Sequence, residues 1–152
     1  MSKEQKFIAT ISKEFTFDAA HHIPSMPDGH KCRSLHGHTY RVEILLRDYV
    51  GESGFFIDYG DIAALWNAYV NIHLDHKLLN DLIPIPTTEN LASWIVRELV
   101  DHLPSLDRVR VHESSSTYCE VSVMELRAAG VLPIPLAPRT LTPRGVVIPE
   151  KK

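Results

Sequence analysis

Two histidines separated by a single glycine, His36-Gly37-His38, run straight into Thr39 to Arg47, a segment of strand-like composition. Side chains two apart on a strand leave the same face, and at the rise of a strand they stand about 7 Å apart, close enough to share one metal ion. The even phase continues as Tyr40, Val42, Ile44 and Leu46, whereas the odd phase holds Thr39, Arg41, Glu43 and Arg47 with Leu45 alone out of pattern. Both imidazoles therefore emerge on the apolar face. One inward histidine is an ordinary hydrogen-bonded core residue; two on one strand face favour a metal. A third ligand comes from an earlier strand, in which Phe15, Phe17, Ala19 and His21 share a phase. His22 falls in the other phase and faces outward or caps the following turn, although the phase at a strand end can slip by one residue. Three neutral histidines with an open fourth position form the ligand set of a catalytic zinc, so Zn2+ is the expected cofactor, acting as a Lewis acid.

Around these residues the chain must build one domain, since 152 residues bury a sizeable core but do not suffice for two ordinary domains. A net charge of −3, with 23% charged residues, offers no basic excess for nucleic acid. No apolar run approaches the ~20 residues of a membrane span, and the first residues lack the apolar stretch of a signal peptide. A cytoplasmic protein is expected, with Cys32 and Cys119 reduced.

Residues 7–21 and 36–50 read as two long strands, joined by a loop marked by Pro24, Pro27, Asp28 and Gly29 that also carries Cys32. A first helix is expected from Asp58, with Ile62, Leu65, Trp66, Tyr69, Val70 and His73 at helical spacing. After the connector Leu74 to Asp81, a second helix capped by Thr87 or Thr88 buries Leu91, Trp94, Ile95, Leu99 and Leu103 and is stopped by Pro104. A third strand spans 106–113 and a fourth 118–127, the latter with Cys119, Val121 and Val123 inward. In the third, Glu113 shares the apolar phase of Val109 and Val111; it is either a strand-end residue turned to solvent or a carboxylate awaiting a partner. The order ββααββ defines an α+β fold, a four-stranded antiparallel sheet with two helices on one face. Residues 1–127 form the domain. Residues 128–152 hold Pro133, Pro135, Pro138, Pro143 and Pro149 and are expected to be a proline-rich tail, neither helix nor central strand.

Phe17-Asp18-Ala19-Ala20-His21, followed by Cys32-x-x-x-His36-Gly37-His38, resembles the 6-pyruvoyl-tetrahydropterin and 6-carboxy-tetrahydropterin synthase family over about residues 7–127. The three-residue interval between the cysteine and His-Gly-His is similar to the 6-carboxy-tetrahydropterin synthases of the queuosine (7-deazaguanine) pathway; the pyruvoyl enzymes carry a longer one. The resemblance implies the tunnelling fold, assembled as a homohexamer, a dimer of trimers with sites between subunits. It implies a zinc-dependent lyase that converts 7,8-dihydroneopterin triphosphate to 6-carboxy-5,6,7,8-tetrahydropterin with release of acetaldehyde and triphosphate.

Residue by residue, the resemblance makes His21, His36 and His38 the zinc ligands and Cys32 the base. Asp75 and His76, which by sequence alone suit helix capping and solvation as well as catalysis, become the second proton-transfer pair. Glu113 becomes the anchor of the pterin edge, whose two N–H donors a carboxylate can accept side by side. Thr87 and Thr88 become pterin contacts, although capping alone accounts for them. Lys31, Arg33 and Lys77 are candidate triphosphate contacts or plain solvated surface. The rival readings are a 6-pyruvoyl-tetrahydropterin synthase and a non-enzymatic zinc protein in which Cys32 is a fourth ligand.

Overall fold

The computed structural model describes residues 6–134. Strand β1 (Ile8–His21) pairs antiparallel with β2 (His36–Tyr49) along its whole length, from Ile8 opposite Tyr49 to His21 opposite His36. That register sets the faces. Phe17 lies opposite Tyr40 and Ala19 opposite His38, so the two apolar phases coincide and both strands bury the same side. β4 (Leu106–His112) adds to the free side of β2, and β5 (Cys119–Ser122) closes that edge. A further two-residue strand, β3 (Lys77–Leu78), runs parallel to the end of β1, giving the order β3-β1-β2-β4-β5. Leu45, out of pattern in the sequence, is buried beside a register shift between Leu45 and Leu46, where the ladder with β4 skips a residue.

The first helix, α1 (Tyr59–Trp66), is capped by Asp58, whose carboxylate accepts the N–H of Gly60. It runs into a π turn (Asn67–Asn71) and a last short turn, α2 (Ile72–Leu74). Ile62, Trp66 and Val70 are buried as the spacing predicts, but His73 is exposed and Leu74 takes the inward place. A π turn adds one residue to the helical repeat, which moves the apolar stripe on by one position. The second long helix, α3 (Thr88–Leu99), is capped by Thr87, and Leu91, Trp94, Ile95, Leu99 and Leu103 are all buried. It ends at Leu99, five residues short of Pro104. The helices pack on the apolar sheet face, where Trp66 stacks on Phe15 with ring centroids 4.6 Å apart. The opposite face carries ion pairs, among them Arg41 with Glu14 and Arg110 with Glu120.

The expected fourth strand is corrected. It ends at Ser122, and Val123–Ala128 form a helix, α4. Ser122 caps it, the serine hydroxyl accepting the Glu125 N–H at 3.1 Å and donating to the Glu125 carboxylate at 2.9 Å. Val123 is buried and Cys119 and Val121 half-buried. Beyond α4, the Val131 and Leu132 amides donate to the Leu126 carbonyl, and Leu132 is buried in the core. The rest of the expected proline-rich tail, 135–152, lies outside the described residues. Among the described residues no helix is long and apolar enough to cross a membrane, and both cysteines are free thiols.

Candidate metal centre and surrounding site

At the end of the β1–β2 ladder, on the core face, His21, His36 and His38 offer ligand nitrogens that all lie within 4.8 Å of one another. His21 is buried and the other two are half-buried. Gly37 stands between two of them on the opposite face, where a side chain would crowd the Ala19 carbonyl at 3.3 Å. The outer nitrogens are fixed by carbonyls: His21 Nδ1 donates to Pro86 at 2.8 Å and His36 Nδ1 to Ser34 at 2.7 Å. A carbonyl only accepts, so each Nδ1 must carry the proton. In neutral rings both Nε2 atoms are then bare lone pairs, yet they face each other at 3.0 Å. Two acceptors in that position repel unless a proton or a cation lies between them.

A proton carried on His21 is disfavoured, because burial, more than its two imidazole neighbours, pushes the His21 pKa down even though the Pro86 carbonyl pulls it up. A cation fits. Two nitrogens each 2.0–2.1 Å from a tetrahedral zinc would be about 3.3 Å apart, and metal-binding histidines characteristically donate their other N–H to a carbonyl or carboxylate. Tyr40, fully buried, stands its ring edge to face against His21 and His38, with its hydroxyl 3.2 Å from His21 Nδ1. Burial and then the nearby Glu113 carboxylate push its own pKa up, so the hydroxyl stays neutral.

Cys32 sits in a 3-10 turn (Lys31–Arg33) and is not a member of the three-histidine group. Its carbonyl accepts the Ile23 N–H at 2.8 Å, which ties the turn to the chain just after His21, and its N–H donates to His30 Nδ1. Arg33 is employed in the same loop, donating to the Met26 carbonyl at 2.7 Å and pairing with Asp28. Lys31 and Lys77 are exposed. Glu113 follows directly on β4 and brings a carboxylate oxygen to 4.0 Å from His38 Nε2, with 36% of its side chain exposed. It thus borders the centre and remains open to a ligand.

Thr87 lies next to Pro86, whose carbonyl holds His21, but its hydroxyl is occupied in accepting the Asn90 N–H; Thr88 donates to Glu89. Asp75 and His76 are brought together, Oδ2 to Nδ1 at 3.0 Å, but outside the three-histidine group. His76 opens into a cavity of about 630 Å³ that is lined by Asp18, Ala20, Gly37 and Thr39 and also by Ala19 and His38, so both strand phases border it. Asp18 secures the pair from both of its backbone groups: its N–H donates to Asp75 and its carbonyl accepts the His76 N–H at 2.6 Å. These bonds hold His76 at φ 57°, a left-handed conformation unusual for a residue with a side chain. The Asp18 N–H, followed by the His76 ring, also keeps the Asp75 carboxyl below its ordinary pKa.

The fold can be placed first. 6-Pyruvoyl tetrahydropterin synthase of Caenorhabditis elegans matches with a TM-score of 0.67 at 22% identity, over 76% of this chain and 95% of that one. This is the tunnelling fold, here as an α+β sheet with helices on one face. In sequence, the profile of the 6-pyruvoyl tetrahydropterin synthase family matches residues 10–123, and the chain belongs to that family. It is 39% identical over 119 residues to a putative 6-carboxy-5,6,7,8-tetrahydropterin synthase of Archaeoglobus fulgidus, covering 78% of this chain and 97% of the relative. With the 6-carboxy-5,6,7,8-tetrahydropterin synthase of Synechocystis the identity is 36% over 115 residues, 70% of this chain and 88% of the relative.

Sequence reasoning missed the partners that orient the histidines. The Pro86 and Ser34 carbonyls carry no side-chain signal, and Asn80, which bonds to the His22 backbone, sits in a connector without periodicity. Tyr40 alone had one: it shares the inward phase of the two β2 histidines.

Proposed function

We propose that the protein is a zinc-dependent lyase that converts 7,8-dihydroneopterin triphosphate and water to 6-carboxy-5,6,7,8-tetrahydropterin, acetaldehyde and triphosphate, in a cytoplasmic route to 7-deazaguanines such as queuosine. The observation that carries the reading is the pair of facing, carbonyl-oriented imidazole nitrogens of His21 and His36, 3.0 Å apart, which together with His38 fit a cation. The curated relatives named for this product support the choice of substrate. When bound, zinc would polarise the side-chain hydroxyls of the substrate and so acidify the neighbouring C–H. Cys32, held beside the end of β1 by the Ile23 bond, takes that proton. Glu113 accepts the N–H donors of the pterin edge, and Thr87 and Thr88, at the start of α3, line the ring.

His76, oriented by Asp75, moves the second proton. Since this pair lies outside the group formed by the three histidines, the pair would serve the site of another copy. A homohexamer built as a dimer of trimers supplies that arrangement, and the outer edge of β1, covered by β3 only at Ala19 and Ala20, is available for joining subunits. The 1–127 unit is the catalytic domain.

A 6-pyruvoyl product would arise from the same ligands. Formation of acetaldehyde together with triphosphate from the zinc-loaded protein supports the 6-carboxy reaction; triphosphate without acetaldehyde assigns the pyruvoyl one.

Glu113→Gln tests the anchor separately from the metal. The substitution keeps the size of the side chain but sets an N–H against a donor. Charge-assisted bonds contribute about 1.5–3 kcal/mol each, so pterin affinity by calorimetry is expected to fall at least ~10-fold with zinc content and melting temperature close to wild type. Unchanged affinity would remove Glu113 from the site.

A further inference from the structure

We infer that Asn80 is a positioning residue for the metal centre, gripping the backbone of His22 so that His21 presents its ring to the other two histidines, given the reading of His21 as a ligand. The Asn80 Oδ1 accepts the His22 N–H at 2.9 Å and its Nδ2 donates to the His22 carbonyl, also at 2.9 Å. Those are the two bonds, one to each backbone polar group, that a neighbouring strand would make. The backbone ladder has ended by then: β1 and β3 pair at Ala19 with Lys77 and Ala20 with Leu78, after which the chain of β3 turns away into a 3-10 turn (Leu79–Asp81). One carboxamide thus continues the ladder past the point where the main chain has left it, at the residue that follows the ligand.

The grip is itself rooted in the core. Leu79, next to Asn80, is fully buried, and its carbonyl accepts the N–H groups of Leu82 and Ile83 at 3.0 and 2.8 Å. The same connector then delivers the Pro86 carbonyl to His21 Nδ1. His21 is therefore fixed twice from one short segment, through its own ring and through the backbone of its neighbour. Metal sites need their ligands held to within about 0.5 Å, and partners that orient ligands typically contribute 10–100-fold in affinity.

The probes are zinc and cobalt(II) on the full chain carrying Asn80→Ala or Asn80→Asp, the second keeping the size and the acceptor but losing the donor to the His22 carbonyl. Zinc affinity, measured by competition with a chromogenic chelator, is expected to fall at least ~10-fold, and the visible bands of the cobalt-loaded variant are expected to shift. The metal-free form should melt within a few degrees of wild type. Unchanged zinc affinity and cobalt bands in both variants would overturn the inference and leave Asn80 a structural residue of the connector. For a variant whose metal-free form melts far below wild type, the cobalt bands at saturating metal decide: unaltered bands overturn the inference and altered bands support it. Wild-type protein that binds neither metal would instead overturn the assignment of the three histidines.

Discussion

Replacing Cys32 by alanine is expected to reduce turnover by about 10²- to 10⁴-fold, the usual contribution of a positioned proton-transfer group, while zinc content stays at the wild-type level. The expectation follows from the place of the thiol. It is free, half-buried and carried on the Lys31–Arg33 turn, outside the group formed by His21, His36 and His38. A sulfur bonded to zinc would stand about 2.3 Å from it and its loss would release metal. Metal analysis and steady-state rates on the same preparation therefore separate the two roles: loss of zinc in parallel with activity would make Cys32 a structural ligand.

Removing a histidine should act in the opposite sense. His36→Ala or His38→Ala leaves two imidazoles where three met, and zinc affinity is expected to fall by more than the ~100-fold upper range for an orienting partner, with activity lost along with the metal. Purified wild-type protein should carry close to one zinc per chain. His36 is the more informative of the two because its removal also abolishes the 3.0 Å contact with His21; the His21 ring would then keep its bond to Pro86 with no facing lone pair. Full zinc occupancy in either variant would remove the centre from the account.

What could be read in advance followed the periodicity of strands. The alternation of Phe15, Phe17, Ala19 and His21, and of His36, His38, Tyr40 and Val42, placed three imidazoles on one face because side-chain direction in a strand has a period of two residues, and the observed register keeps those phases together. Helical phase was less secure. His73 fitted the stripe of α1 until the π turn displaced it in favour of Leu74, and no residue type marks such a turn. At Val121-Ser122-Val123 the alternation that suggested a continuing strand competed with the Ser-x-x-Glu cap of α4, and the cap prevailed. β3 could not be anticipated at all, since two residues pair there only through a long-range parallel contact. That the Asp75–His76 pair stands outside the histidine group, at a cavity it shares with His38, is likewise a property of the sheet, invisible in a list of residues.

The most direct test is the product itself. Zinc-loaded protein incubated with 7,8-dihydroneopterin triphosphate is expected to give, by mass spectrometry, 6-carboxy-5,6,7,8-tetrahydropterin with stoichiometric acetaldehyde and triphosphate, and to give none after the metal is removed by chelation. Unaltered substrate in the presence of bound zinc, or turnover that persists without it, would contradict the account.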